Sequence, residues 1–308
     1  MLLDTASLYF RAFYGMPDSV HGPDGTPVNA VRGLLDIIAR LVSEFEPTSL
    51  VACWDDAWRP QWRVDLIPSY KAHRVAQEVP GGTDIEEVPE NLVVQIPIIR
   101  DVLDAFGTVV LGAADHEADD VIGTLASAAT IPVDIVTGDR DLFQLCDDAA
   151  DVRVIYTARG MSKLEIVTDD VLQSKYGIAA KQYSDFAVMR GDASDGLPGV
   201  AGIGEKTATR LLSDYGDLAH IIAAAADQDE PLSPTIRRRM LEAADYLAVA
   251  PKVVDVVRDL DLGHVDARIG PLASAQRADV DGLATRWGLG GSAGRALRAL
   301  GNDQTMPT

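Results

Sequence analysis

The chain has 308 residues, a net charge of −20, 47% hydrophobic and 24% charged residues. This composition fits a folded protein of about two domains and excludes disordered, collagen-like and coiled-coil classes. No apolar run of about 18 residues is present to span a bilayer, and the opening MLLDTASLYF lacks the basic flank and cleavage pattern of a signal peptide. A cytoplasmic protein is expected. Cys53 and Cys146 stand apart without C-x-x-C or Cys/His spacing, which fits a reducing compartment and suggests neither a zinc site nor a disulfide framework.

The first half alternates short apolar runs with helical stretches, the pattern of an α/β protein on a mainly parallel sheet. Residues 1–3, 50–54, 108–111, 133–136 and 152–156 read as strands. Between them 31–44, 98–105 and 118–129 carry apolar residues at spacings of three and four and read as helices, with Pro97 expected at a first helical position. From about Asp169 the strand signal stops, and short helices are expected at 168–175, 180–189, 206–214, 218–226 and 233–248. The chain thus divides into a first domain over 1–167, a helical domain over 168–265 and a Gly/Ala-rich extension over 266–308, with a helix at 292–300 and a frayed end.

One connection, 58–90, holds Pro60, Pro68, Pro80, Gly81, Gly82 and Pro89, too many breaks for one regular helix. Its length points to a functional segment. The first part concentrates Arg59, Arg63, Lys71 and Arg74, the second Glu78, Asp84, Glu86, Glu87 and Glu90, so the basic part reads as a phosphate-binding lid.

Sites in open parallel sheets form beyond the carboxyl ends of the strands. Asp4 follows the first strand, Asp55 the second, Glu117, Asp119 and Asp120 open a helix after the third, and Asp139 and Asp141 follow the fourth. Helix capping explains any one of these acids, but not the set. Carboxylates crowded at one edge repel unless divalent cations neutralise them, and hard oxygen donors suit Mg²⁺ or Mn²⁺. Two such ions about 3.5–4 Å apart serve phosphodiester hydrolysis, one generating hydroxide and the other stabilising the leaving oxygen. Asp56 reads as a solvated neighbour, and the five dispersed histidines argue against zinc.

Residues 191–212, GDASDGLPGVAGIGEKTATRLL, add Asp192 and Asp195 to a turn with Gly199, Gly202 and Gly204 that opens a helix. Backbone approaches a phosphate closely at such glycines, helix N–H groups point at it, and Lys206 and Arg210 add positive charge one turn apart. Together with HEADD, TGDRDLFQL and SYKAHR, this motif resembles the bacterial 5′ nuclease family of flap endonucleases and 5′-3′ exonucleases, related to the N-terminal nuclease domain of DNA polymerase I, over about residues 2–260. The resemblance implies a PIN-like core with a mainly parallel sheet, flanking helices and a helical arch over about 58–90, plus an all-helical helix-three-turn-helix DNA-binding domain. It implies metal ligands at Asp4, Asp55, Glu117, Asp119, Asp120, Asp139, Asp141, Asp192 and Asp195, and Lys71 and Arg74 at the scissile phosphate. The turn from Gly199 to Gly204 would bind DNA backbone with help from K⁺ held by carbonyl oxygens. The expected protein is a monomeric, metal-dependent DNA 5′ nuclease of replication and repair, acting on 5′ flaps or 5′ ends, RNA-primed ends included.

Two departures stand out: Gly196 lies where the family commonly has Asn, and Met1 precedes Asp4 by only three residues, which leaves the first strand short and points to a truncated start. The net charge, which by itself argues against a phosphate partner, is reconciled by placing the acids at a metal site while Arg59, Arg63, Lys71, Arg74, Lys206 and Arg210 make local phosphate contacts. The Arg237 to Arg239 run reads as a solvated helix face, and Trp58 and Trp62 as packing beneath the arch rather than base stacking. Three alternatives stay open. A PIN-like ribonuclease leaves the helical domain unexplained, a non-catalytic branched-DNA-binding protein is expected to have lost acids, and a small-molecule metal phosphatase gives the basic connection no task.

Overall fold

Side-chain alternation along the strands divides the core between two faces of a sheet. The computed structural model describes residues 1–79 and 82–301. Strand β1 (Leu2–Asp4) runs directly into α1 (Thr5–Gly15), and α2 (Asn29–Phe45) crosses over to β2 (Val51–Cys53). The long connection follows, with α3 (Gln61–Leu66), β3 (Val75–Gln77), β4 (Ile85–Glu86) and the single turn α4 (Glu90–Val93). Then come α5 (Gln95–Ala105), β5 (Val109–Leu111), α6 (Ala118–Ala128), β6 (Val133–Thr137), β7 (Val152–Tyr156) and β8 (Glu165–Val167). Six strands form one sheet in the order β5-β2-β1-β6-β7-β8, all parallel except β8, which runs antiparallel to β7. Leu2, Val51, Ile135 and Val154 face one side, and Leu3, Ala52, Val136 and Ile155 the other.

The first side packs α6 and the helical domain, α7 (Asp169–Tyr176), α8 (Tyr183–Arg190), α9 (Glu205–Tyr215), α10 (Leu218–Ala226), α11 (Pro234–Glu242) and α12 (Ala244–Val254). Phe143, Tyr183, Phe186, Leu211, Ile221 and Val253 join the apolar cluster of the sheet itself, so sheet and helical domain share one core. The single helix expected at 233–248 is two: Ser233 caps α11 through the N–H of Ile236 at 3.3 Å, and Ala243 separates α11 from α12. The second side packs α1, α2 and α5 together with α13 (Ser274–Arg286) and α14 (Gly290–Ala299). Val280, Leu289, Ala296 and Leu297 are buried there against α2 and α5. Arg295 donates to Asp36 at 2.8 and 2.9 Å, so the C-terminal helices are part of the first domain's core rather than an appendage.

All five expected strands form. Pro97 occupies the third position of α5, still within the first turn, where a missing N–H loses no intrahelical bond. Helix α1, strand β8 and the β3–β4 hairpin are additional to the sequence reading. Among the described residues of the segment expected as a helical arch, helix is confined to α3, a 3₁₀ turn at Ala72–Arg74 and the start of α4 at Glu90, and the far leg carries the β3–β4 pair. Pro80 and Gly81, and the frayed end at 302–308, lie outside the described residues. Among the described residues no helix is long and apolar enough to cross a membrane.

Candidate active site

Four parallel strands deliver their following residues to one edge, and the acids gather there around a cavity of about 620 Å³. Asp4, Asp55, Glu117, Asp119, Asp139 and Asp192 line it, with Lys71 and Arg74 from the long connection. Several of these acids are fixed by backbone N–H groups of nearby helices and turns. Asp4 caps α1 by accepting the N–H of Ser7 at 3.2 Å, and its second oxygen accepts the Thr137 hydroxyl at 2.6 Å. The same hydroxyl accepts the N–H of Asp139 at 2.8 Å, which ties the ends of β1 and β6 together. Asp55 accepts the first N–H of α6 from Ala118 at 2.8 Å. Asp139 accepts from the N–H of Asp141 at 2.9 Å, and Asp192 from that of Ser194 at 2.8 Å. Helix and turn capping thus occupies oxygens of these carboxylates without neutralising their charge.

The electrostatic cost is visible. Burial pushes Asp4 up to about 7, with the charges of Asp55 and Asp139 adding to the shift. Asp119 and Asp141 are raised well above the ordinary carboxylate range, first by burial and then by neighbouring acids, Asp4 and Asp139 for Asp119 and Asp139, Asp195 and Asp192 for Asp141. Asp55 and Asp195 rise for the same first reason. One oxygen of Asp141, Oδ1, is buried without a hydrogen-bond partner. An oxygen-only donor set with an orphaned carboxylate oxygen fits a hard divalent cation. Among the described residues no three His, Cys, Asp or Glu side chains stand in a preformed metal-ligand group; the acids share a wall but do not converge on one point.

Cations of the chain itself sit among them. Lys71 is ion-paired with Glu117, and Arg74 donates to Asp195 at 3.0 Å. Glu117 is further held by the Tyr70 hydroxyl at 2.7 Å and by Arg63 at 3.0 Å.

Asp141 and Asp195 are not among the lining residues but adjoin them through Asp139 and Arg74, and three other expected site residues are committed to structural partners. Asp120 is fully buried in α6, outside the cavity, where it accepts from Arg63 at 2.7 and 3.0 Å, from the N–H of Glu117 at 3.2 Å and from that of Val257 at 2.9 Å. Its carboxylate is saturated by structural donors. Arg63, expected on DNA, is the buried counter-ion of that group and also donates to the Val253 carbonyl at 3.1 Å. Arg59 is buried as well, donating to the carbonyls of Tyr70 at 2.6 Å and Pro68 at 3.1 Å and pairing with Asp84, so it fastens the legs of the connection to one another. Removing one partner of a buried ion pair strands the other's charge, so Arg63→Leu is expected to lower unfolding free energy by about 3–5 kcal/mol. Urea denaturation reads this, and a loss below about 1 kcal/mol contradicts the structural role of Arg63.

Lys206 and Arg210 are exposed on α9, which begins at the Gly199 to Gly204 turn. Of the Arg run only Arg238 lies on a solvated face, beside Glu242. Arg237 is buried and donates to the carbonyls of Ala224, Ala225 and Glu230, each at 2.8 Å, while Arg239 donates to the Gly202 carbonyl at 2.7 Å. Trp58 borders the cavity and donates to the Asp84 carbonyl at 2.7 Å, and Trp62 stacks under Arg63 with 4.5 Å from guanidinium carbon to ring centre. Sequence reasoning missed Ser7, Glu86, Arg140, Tyr156 and Arg190, which also line the cavity. Arg140 lies inside TGDRDLF and Arg190 directly precedes GDASD, so adjacency to the acid motifs was an available signal.

A family model described as the 5′-3′ exonuclease N-terminal resolvase-like domain matches residues 1–177, and one described as the 5′-3′ exonuclease C-terminal SAM fold matches 178–274. A "5'-3' exonuclease" of Streptomyces coelicolor is 59% identical over 300 residues, covering 97% of this chain and 99% of that protein. A DNA polymerase I of Mycobacterium tuberculosis is 40% identical over 268 residues, covering 86% of this chain and 28% of the polymerase. Among solved structures, T5 5′-exonuclease with bound zinc superposes with a TM-score of 0.61 at 17% identity, covering 97% of this chain and 98% of that one. Human GEN1 in complex with Holliday junction DNA gives 0.63 at 16%, covering 97% and 70%. With both family models matched in order and close identity along nearly the whole length of a relative, the chain belongs to the 5′-3′ exonuclease family.

Proposed function

We propose that the protein is a structure-specific DNA 5′ nuclease that hydrolyses phosphodiesters near 5′ ends and flaps by two-metal-ion catalysis, in DNA replication and repair. The observation that carries this reading is the gathering of Asp4, Asp55, Glu117, Asp119 and Asp139 from four strand ends, with Asp192 from the loop after α8, around one cavity that Lys71 and Arg74 also line. Asp4, Asp55, Glu117, Asp119, Asp139, Asp141, Asp192 and Asp195 would hold the ions. When bound, Mg²⁺ or Mn²⁺ supplies a hydroxide near neutral pH and offsets the charge on the leaving oxygen. Lys71 and Arg74 donate to the non-bridging oxygens of the scissile phosphate as negative charge grows there. Relatives described as 5′-3′ exonucleases support the activity, and a T5 flap endonuclease structure with DNA and metal ions supports the substrate class.

The duplex is gripped at a distance by the turn before α9, whose N–H groups, with Lys206 and Arg210, offer a phosphate site that reads no sequence. The carbonyl oxygens of Gly199 and Ile203 accept no backbone hydrogen bond among the described residues, so neutral oxygen donors remain there for K⁺. The working form is a cytoplasmic monomer. End-labelled 5′-flap, blunt duplex and single-stranded DNA, compared in Mg²⁺, Mn²⁺ and EDTA, test the reading: flap cleavage in metal and none in EDTA is expected, and equal cleavage in EDTA contradicts it. Arg210→Ala is expected to reduce the slope of log K against log[salt] for duplex binding by up to about one unit. An unchanged slope removes Arg210 from the duplex contact.

A further inference from the structure

Resting on the nuclease reading above, we propose that Gly196 is a positioning residue: its missing side chain lets the foot of the arch seat on the loop of residues 192–196, and that seat holds Lys71 and Arg74 over the acids. Gly196 has a φ of +70°, and a Cβ there would stand 2.1 Å from the carbonyl oxygen of Ser69 and 3.4 Å from the backbone nitrogen of Lys71. These are backbone atoms, so no rotamer change relieves the contact. The Ser69 carbonyl stands where a side chain would begin, and four hydrogen bonds join the arch to the loop around it. Ser69 Oγ donates to the Gly196 carbonyl at 2.8 Å, the Lys71 N–H to the Asp195 carbonyl at 2.9 Å, and Arg74 to the Ser194 carbonyl at 2.7 Å and the Asp195 carboxylate at 3.0 Å.

The loop is a fixed platform in its own right. Asp192 and Leu197 exchange both backbone hydrogen bonds, at 3.0 and 2.8 Å, so the loop does not need the arch to keep its shape. The arch depends on the loop. Lys71 is one of the few non-glycine residues with positive φ, +48°, a conformation that persists only where the surroundings enforce it. The bond from its N–H to Asp195 is that enforcement, and it directs the Lys71 side chain to Glu117. A glycine at position 196 therefore does more than supply a left-handed turn, which Asn also tolerates.

Gly196→Asn separates the two roles, because Asn keeps the turn but adds the Cβ. On a 5′-flap substrate in Mg²⁺, its kcat is expected to fall about ten- to a hundred-fold, the loss that follows a displacement of about 1 Å in a catalytic group. KM should stay within about two-fold, since the duplex grip is untouched. Gly263→Asn, at φ +63° with open space around it, controls for the turn conformation and should keep wild-type kinetics. In a Lys71→Ala, Arg74→Ala background Gly196→Asn should cause no further loss, because residues acting through one another are not additive. Ser69→Ala removes one bond of the seat without adding atoms and should lower kcat about two- to five-fold. Wild-type kcat in Gly196→Asn, an undiminished effect in the double-Ala background or, should Gly196→Asn fail to fold, wild-type kcat in Ser69→Ala overturns the proposal. A wild-type enzyme with no metal-dependent cleavage overturns instead the nuclease reading on which it rests.

Discussion

Asp139→Asn and Asp141→Asn are expected to abolish cleavage while leaving the metal-free protein as stable as the wild type or more so. Loss of activity follows if these acids hold the ions that activate water and the leaving group. The stability result follows from charge. Burial and neighbouring acids raise Asp4 to about 7 and lift Asp119 and Asp141 well above the ordinary carboxylate range, so the folded state holds more protons here than the unfolded chain. Groups of this kind favour the fold below the unfolded carboxylate range of about 4, and the advantage is lost as pH rises through their folded values, about 7 for Asp4. Chelator-treated wild type should therefore melt higher near about pH 5 than near about pH 7.5. Asp141→Asn, which removes one of these charges, should narrow that difference. A marked fall in melting temperature for either Asn variant would mean that the acids hold the fold together and that the cluster is structural.

Lys71→Ala or Arg74→Ala is the second large effect, a drop in kcat of about ten- to a thousand-fold, the scale set by removing one donor aimed at developing negative charge. Lys71 is buried, lies beside Glu117 and lines the cavity with Asp4, Asp55 and Asp139. A donor in such a low-dielectric place acts far more strongly than one in water. Arg74 is more exposed and shares its guanidinium with Asp195 and the Ser194 carbonyl, so its loss should be the smaller of the two. Steady-state kinetics on a flap substrate discriminate the roles. A raised KM with unchanged kcat would make both residues substrate holders only.

The scaffold was legible because its signals are local. Alternating apolar runs marked the five strands, and their carboxyl ends pointed to where the acids gather. Helix α1 was missed because it follows the strand without a break and its start is the Asp4 cap itself. Strand β8 is three residues long and pairs antiparallel with β7, a relation no local pattern announces. The 58–90 connection was legible as a separate, irregular segment by its prolines and charge, but its composition gave no register for the hairpin.

Long-range pairing was beyond the sequence. Arg59, Arg63, Lys71 and Arg74 look alike as a basic run, yet folding sends Arg63 to a fully buried Asp120 far along the chain and leaves Lys71 and Arg74 facing the cavity. Asp119 and Asp120 are adjacent, and the turn of α6 sends one to the cavity and the other into the core. Gly196 looked like a departure from a family pattern and is instead where two backbones meet.

Whether these acids form one two-ion site is read by calorimetric titration of the chelator-treated protein with Mn²⁺. About two ions per wild-type chain are expected, with the loss of at least one of them in Asp139→Asn or Asp141→Asn and the melting temperature preserved. No binding by the wild type, or undiminished stoichiometry and affinity in both variants, would contradict it.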